Sequence, residues 1–501
     1  MFYFLSVLIG ILSAATGFMQ SDTCWLVKLG QLILSTGCVP QHDPFSFTLP
    51  LLAASGFRQP FVVYQWLSEV IFAVTFQLFS LQGLILLSAL LTALSSICLL
   101  FRVCLQASGK LFLSFVLVGL AAATIALRLM VRPEIFTLLF IVAYMFMLRR
   151  IGSKEAIDWR IVAGLMLAMI AWCNLHSGFI IGILTLAIYA GASLCEDKIA
   201  KRKISGKAKT TFAALVLCSF GTLLNPSGFY LWAYLPRVFL LPVNLSIREV
   251  QSLSPADLLV PIYYPLFALL AISIYSVFIV LKTGRGPTSK WSEVLGTPGR
   301  LSSIALILLA ILASLLFRRL ASPMALFLAF ETSSLFGSSD NIRPAPGFFQ
   351  KSISVLALEI PVLLLTTVGD MVSSNRLVSL TMPQATVEFQ PPFKAVRYLS
   401  DNWKSGRIFN HAQIGSMLIM YGPPGLKVFI DTRMDVYGEM LIYDYCRIIG
   451  AMDQYKTRLD SYGIEWVIVR PSDSLGRALR HDPGWSKEFE DGEAVIFRRA
   501  K

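Results

Sequence analysis

Residues 65–80 read QWLSEVIFAVTFQLFS, and how this stretch meets a membrane decides the fold. Its apolar core falls short of the roughly 20 residues that a spanning helix needs. Gln65, Glu69, Gln77 and Ser80 fall on one helical face. That polar stripe predicts a helix lying in the interface plane rather than crossing it. Residues 23–36 read the same way: Asp22 can cap the helix, Lys28, Gln31 and Ser35 make its polar side, and Gly37 can close it. Residues 19–83 thus form one long loop on one side of the membrane, two in-plane helices joined by a Pro/Phe/Ser segment at 40–60.

Outward from this loop the chain is mostly apolar. Of its 501 residues 55% are hydrophobic and 15% charged, with a mean hydropathy of +0.67; soluble domains carry about 25% charged residues. Spanning helices are expected near 2–18, 84–101, 111–127, 134–148, 161–175, 178–194, 211–224, 262–281, 302–317, 322–336 and 352–367, about eleven in all. Loops 102–110, 149–160, 195–210, 282–300 and 337–351 hold 18 Lys/Arg, whereas the alternating loops hold 8 over more residues. The richer set faces the cytoplasm, so the N-terminus is inside and the C-terminal region outside. The same topogenic residues account for the net charge of +13. They are scattered through short loops rather than gathered on one face, which excludes a nucleic-acid binder. Residues 2–18 lack the basic start of a cleaved signal peptide and are read as a retained helix. The eight cysteines show no metal-binding spacing. Cys24 and Cys38 would lie about 21 Å apart along a helix, too far for a disulfide.

From Pro391 the composition changes. Short β-rich runs stand at 407–410, 427–430, 466–469 and 494–497, with helical patterns between them, notably 437–460, and Gly492 suits a hairpin from 486–490. This alternation predicts a small α/β soluble domain at 391–501, joined by a linker at 371–390 to a membrane domain at 1–370. No GxGxxG, Walker or His-based triad motif is present. The segment Asp431-Thr432-Arg433-Met434-Asp435 follows an expected strand, and reads either as a ligand-binding edge or as an ion-paired turn.

In this topology the polar residues gather on the outer side. Asp22, Asp43 and Glu69 lie in the first outer loop; Arg128, Arg132 and Glu134 flank the second; Trp172, Asn174 and His176 occupy the third; Asn225, Arg237, Arg248 and Glu249 lie in or beside the fourth; Arg318 and Arg319 fill the fifth. Ionisable residues at membrane helix ends are costly unless paired or hydrated, so a one-sided set points to a site. Each has a plainer reading as well: Asp22 as a helix cap, Asp43-Pro44 as a turn, His176 as the partner of a tight turn, Arg318 and Arg319 as snorkelling side chains. As a set they suit transfer from a phosphate-linked donor. Arg128, Arg132, Arg318 and Arg319 would hold the phosphate as it leaves, and a carboxylate would take the acceptor proton.

The ordered motifs Asp22-Thr23-Cys24-Trp25 with Gly30, Asp43-Pro44-Phe45-Ser46-Phe47-Thr48, Trp66-Leu67-Ser68-Glu69, Arg132-Pro133-Glu134-Ile135-Phe136-Thr137, Asn174-Leu175-His176-Ser177-Gly178-Phe179, Asn225-Pro226 and Val428-Phe429-Ile430-Asp431-Thr432-Arg433 cover nearly the whole chain. Together they resemble a bacterial family of multi-spanning proteins related to the GT-C glycosyltransferases. The resemblance implies an α-helical polytopic fold of GT-C type and a catalytic acid in the first outer loop, here Asp22, with Asp43 and Glu69 as secondary carboxylates. It implies a polyprenyl-phosphate donor of a hexose or pentose, a glycan, lipid or protein acceptor, and a place in the bacterial inner membrane with the C-terminal domain periplasmic. Glu134, Asn174, His176, Asn225 and Glu249 would line the site. No cofactor is fixed by the resemblance, and a divalent cation is compatible with it. The family's Asp-Thr-Trp-Trp-His reads Asp-Thr-Cys-Trp-Leu here, with Cys24 and Leu26 in place of the first Trp and the His. Two rival classes are a transporter or flippase of a lipid-linked substrate and a non-catalytic assembly protein. A transporter should show mid-helix ionisable residues and inverted repeats, neither of which is clear in the sequence. A scaffold has no need of the one-sided polar set.

Overall fold

A computed structural model describes residues 21–56, 61–126, 130–152, 155–240, 250–283, 294–337 and 391–500. In chain order the helices of the first part are α1 (Ser21–Thr36), α2 (Thr48–Ala54), α3 (Trp66–Ala93), α4 (Leu100–Ser108), α5 (Leu111–Ala126), α6 (Glu134–Arg149), α7 (Trp159–Leu175), α8 (Phe179–Ile199), α9 (Gly206–Gly221), α10 (Tyr230–Leu240), α11 (Tyr264–Thr283), α12 (Arg300–Leu316) and α13 (Ala321–Gly337). After them come α14 (Phe393–Asn402), β1 (Arg407–Asn410), α15 (Ala412–Tyr421), α16 (Met434–Ile449), α17 (Tyr455–Ser461), β2 (Ile464–Val469), α18 (Ser474–Leu479), β3 (Trp485–Glu490) and β4 (Val495–Arg499). The chain divides into two compact units: Met1–Phe18, Ile85–Gly228 and Arg248–Ala385 in one, Met19–Leu84, Phe229–Ile247 and Thr386–Lys501 in the other.

The first unit is helical. Among the described residues, helices stand at nine of the eleven expected positions; 2–18 and 352–367 lie outside them. Four described stretches are long and apolar enough to cross a membrane, Trp66–Ser108, Phe179–Ile199, Pro261–Lys282 and Arg318–Gly337, and shorter apolar helices occupy Leu111–Ala126, Trp159–Leu175 and Arg300–Leu316. By that measure the described spans number four rather than about eleven, because several expected cores give helices of 16 or 17 residues. α13 is the centre of the unit, with nearly every residue from Ala321 to Phe336 buried. A Cβ on Gly337 would lie 1.9 Å from the Ala107 carbonyl oxygen, so glycine is what lets the end of α13 close against α4.

The second unit is built on a four-stranded sheet ordered β1-β2-β4-β3. β1 runs parallel to β2, and β4 is antiparallel to both β2 and β3. The expected strands near 407–410, 466–469 and 494–497 form, and the 486–490 hairpin arm is β3. The run at 427–430 does not extend into a strand. Val428 makes one bridge to Ser46, flanked by Phe47 N–H to Val428 O at 3.2 Å and Val428 N–H to Phe45 O at 3.0 Å. The Asn410 side chain then takes the next backbone groups, accepting from Phe429 N–H at 2.9 Å and donating to Ile430 O at 2.6 Å. A buried ladder is thereby replaced by one amide side chain, which satisfies the same groups. The expected helix over 437–460 is two helices, α16 and α17, separated around Ala451 and Gln454, both at positive φ.

The sequence reading set 391–501 apart, whereas this compact unit also takes in residues 19–84. Cys24 of α1 belongs to the core with Ile408, Met417, Leu418 and Ile468, and its thiol approaches Met417 Sδ at 3.6 Å. Leu52 of α2 joins a second core with Phe409, Phe429 and Tyr437. Cys24 and Leu26, the two departures from the family motif, are 0% and 1% exposed. They are packing positions: a Trp would overfill position 24, and a His at 26 would bury a polar ring in place of an apolar side chain. α1 meets α3 at Gly30, where a Cβ would stand 2.0 Å from the Glu69 carbonyl oxygen. α3 itself breaks at Ser80 (φ 55°, ψ −156°), a conformation that costs any residue but glycine. The break ends the segment Trp66–Phe79 where the sequence reading ended it.

Candidate functional site

In the second unit three of the quoted motif segments converge on one guanidinium. Arg433 lies between Ile430 and the start of α16, 5% exposed. Its Nε donates to Asp431 Oδ1 at 2.9 Å and its Nη2 to Asp431 Oδ2 at 2.6 Å, while Nη1 stands 2.8 Å from Asp43 Oδ1. The backbone N–H of Arg433 also donates to Asp431 Oδ1, and the Tyr437 hydroxyl donates to Oδ2 at 2.5 Å. Asp43 Oδ2 accepts from the N–H and hydroxyl of Ser46 at 2.8 and 2.6 Å. The rings of Trp25, Phe45 and Phe61 lie 5.7, 5.1 and 6.0 Å from the guanidinium carbon, within cation–π range. Burial by itself would lower the pKa of Arg433; Asp431 and Asp43 reverse this and hold it firmly charged. Of the two readings of Asp431–Asp435, the structure has the ion-paired turn, with Asp43 as a third member.

The same unit holds the remaining first-loop candidates. Glu69 is 1% exposed, and burial pushes its carboxyl up to about 8 against the charge of Arg433 and a hydrogen bond from Gln65. Asp22 is half-buried in the first turn of α1, one turn before Trp25 on the same face. Asp435 is half-buried and accepts from the Tyr234 hydroxyl of α10 at 2.6 Å. Burial raises its pKa, against the hydrogen bond from Tyr234 and the charge of Arg433.

The candidates in the first unit form a separate group. Thr137 Oγ1 accepts from Trp172 Nε1 at 2.9 Å and lies 2.7 Å from His176 Nδ1, which also accepts from Gly178 N–H at 3.1 Å. Glycine is required at 178, since a Cβ there would stand 2.3 Å from Thr137 Oγ1. Burial lowers the His176 pKa to about 4; Glu134 opposes and Arg319 reinforces the shift. Asn174 donates to Leu224 O at 3.1 Å, and Asn225 donates to Cys173 O and Asn174 Oδ1, both at 3.2 Å. These three residues tie helix ends together. Arg318 is ion-paired with Asp257 at 2.5 Å, and Asp257 is held by the N–H and hydroxyl of Ser254. Arg319 is exposed; Arg132 and Glu134 are half-buried. Arg128, Arg248 and Glu249 lie outside the described residues.

Three structural partners were missed from sequence. Asp257 closes a Ser-x-x-Asp box at 254–257, a readable helix-start signal. Glu331 is the lone acid in the apolar run of α13, and accepts from the Tyr189 hydroxyl at 2.9 Å and the Ser303 hydroxyl at 2.7 Å. Tyr234 gave no signal, because its partner lies 201 residues away. Among the described residues no group of three or more His, Cys, Asp or Glu stands ready to hold a metal. Both oxygens of Asp43 are already engaged.

The fold is similar to that of the apo oligosaccharyltransferase of Archaeoglobus fulgidus, at 10% identity and a TM-score of 0.54, over 93% of this chain and 69% of that one. It is also similar to the mycobacterial arabinofuranosyltransferase AftD, at 13% identity and a TM-score of 0.53, over 100% of this chain and 40% of that one. Both belong to the GT-C superfamily, and the fold is of that type. The chain thus spans less than half the length of the arabinofuranosyltransferase. The sequence matches no family model and no curated protein.

Proposed function

We propose that this membrane protein is a glycosyltransferase that moves a sugar from a polyprenyl-phosphate donor to an acceptor on the outer face of the membrane. The observation that carries the reading is a half-buried carboxylate, Asp22, at the head of the first outer loop of a GT-C-type fold. In the reaction, an acceptor hydroxyl oxygen attacks the anomeric carbon of the donor sugar. The carbon–oxygen bond to phosphate breaks, the hydroxyl proton passes to Asp22, and polyprenyl phosphate leaves. Asp22 orients the hydroxyl and takes the proton late, and the single displacement, from the face opposite the phosphate, inverts the anomeric centre. Arg318 is committed to Asp257 and is not proposed as a phosphate ligand. Asp43 positions the loop and is not the base, because Arg433 and Ser46 occupy both of its oxygens.

The transporter reading would look to Glu331, buried within α13. Its two oxygens are held by Tyr189 and Ser303, which suits a structural role. The deciding experiment is transfer from a polyprenyl-phosphate sugar by membranes containing Asp22→Asn at matched expression. The amide keeps the shape, and Asp22 stands inside the first turn of α1 rather than at the cap position expected from sequence. A loss of roughly 10²-fold or more is expected, and transfer at the parent rate would show Asp22 to have a structural role only.

A further inference from the structure

Among the described residues, four buried polar atoms at the Arg433 cluster make no hydrogen bond; Arg433 Nη1 and Asp43 Oδ1 are ion-paired with each other, which leaves the indole Nε1 of Trp25 and Oε2 of Glu69. Native structures leave few such atoms, and each calls for a water or ligand. The two stand on helices that meet at Gly30, α1 carrying Trp25 and α3 carrying Glu69. Trp25 packs with Phe45, Phe61 and Trp66 in one half-buried aromatic cluster around Leu29, Ile33 and Val63. The place therefore offers an N–H donor, a carboxyl oxygen and apolar ring faces. An anion is disfavoured, since Asp43 and Asp431 already match the guanidinium. A purely apolar ligand would leave both polar atoms unsatisfied. A sugar ring meets all three features: its C–H face lies on an aromatic ring, one hydroxyl hydrogen-bonds the carboxyl group, and another oxygen accepts from an indole N–H.

We propose that Trp25 and Glu69 form a sugar-binding subsite, completed by the rings of Phe45 and Phe61. The identity of the sugar as a transfer substrate rests on the glycosyltransferase reading; the binding does not. The test uses the purified full chain in detergent and saturation-transfer NMR with methyl α-D-mannopyranoside, methyl β-D-galactopyranoside and methyl α-D-arabinofuranoside. At least one glycoside should bind the parent. Glu69→Gln, which keeps the shape, should weaken that glycoside about 10-fold, and Trp25→Phe, which keeps a ring but removes the N–H, about 3-fold or more. Thermal unfolding of each variant checks folding, and if Trp25→Phe fails to fold, Glu69→Gln decides. Absence of binding to the parent, or unchanged binding in Glu69→Gln, overturns the subsite. So does a high-resolution map in which ordered water alone satisfies both atoms in the presence of the bound glycoside. Because no transfer is read, failure here leaves the Asp22 result standing, and full activity of Asp22→Asn leaves this subsite standing.

Discussion

Replacing Arg433 with methionine should destabilise the second unit more than any change at the carboxylates it holds. The side chain is 4% exposed and faces Asp431 and Asp43, whose side chains are 0% and 1% exposed. Removing one partner of a buried ion pair costs about 3–5 kcal/mol, because the other is left uncompensated. Both carboxylates keep other donors, Ser46 for Asp43 and Tyr437 for Asp431, which places the cost near the lower end, about 3–4 kcal/mol. For a unit of about 200 residues, each kcal/mol moves the midpoint by about 2–4 °C, so a fall of about 6–16 °C is expected. Asp43→Asn leaves Arg433 with Asp431 and keeps an acceptor for Ser46, so it should cost only about 1–2 kcal/mol. The double variant Asp43→Asn/Arg433→Met strands one carboxylate instead of two, and should therefore be more stable than Arg433→Met alone. The assay is thermal unfolding of the full chain in detergent, followed by tryptophan fluorescence at one fixed scan rate. A midpoint for Arg433→Met within about 2 °C of the parent, or a double variant less stable than Arg433→Met, would refute the reasoning.

Three further outcomes are expected. His411 caps α15, its Nδ1 accepting from Gln413 N–H, and burial with the nearby Arg470 lowers its pKa to about 3. Below about pH 6.5 the unfolded chain binds a proton that folded His411 refuses until about pH 3, so stability should fall with pH by at most about 1.4 kcal/mol per unit. His411→Asn, which keeps a cap, should flatten the fall in midpoint between pH 6.5 and 4.5, and equal slopes would count against this. Single cysteines at the exposed positions Ser55 and Ser461, in a cysteine-free background, should react with an impermeant thiol reagent outside intact cells, and one at exposed Lys203 should not; the reverse pattern would invert the proposed sidedness. Residues 391–501 expressed alone should be less stable to urea than the same segment co-expressed with residues 19–84, because Cys24 and Leu52 fill its cores; equal midpoints would show those contacts to be dispensable.

What could be read from sequence was local. The strands at 407–410, 466–469 and 494–497 announced themselves by β-branched and aromatic runs bounded by turn residues, and each is satisfied by neighbours in one sheet. The break at Ser80 was readable because the apolar stretch ended there, although the backbone change that makes it was not. Val428–Ile430 carried the same strand signal and failed, since its partners are a side chain 19 residues back, Asn410, and a loop some 380 residues back, Phe45–Phe47. Asn174, His176 and Asn225 were legible as unusual polar residues beside apolar helices, yet polarity alone does not separate a ligand contact from a tie between helix ends. Arg433 stood in a quoted motif, but its pairing with Asp43 joins positions 390 residues apart, which one sequence cannot disclose.

That pairing changes which carboxylate can do chemistry. A group that takes a proton from an acceptor hydroxyl must be reached by the acceptor and must have an oxygen to offer. Asp431 is fully buried and shared among Arg433 and Tyr437. Asp43 is held at both oxygens, and Asp435 is half-buried and held by Tyr234, with its pKa pushed up. Glu69 has an open oxygen but almost no exposure, which suits contact with a ligand lodged against it better than exchange of protons with solvent. Asp22 is partly exposed, and it shares a helix face with Trp25, whose ring reaches the Arg433 cluster. On the proposed reading these acids divide by role: Asp22 for the proton, Glu69 for the sugar and Asp43 for the fold. Each assignment has its own signature, since Asp22→Asn should remove turnover with binding intact, Glu69→Gln should weaken glycoside binding, and Asp43→Asn should show first in the unfolding midpoint.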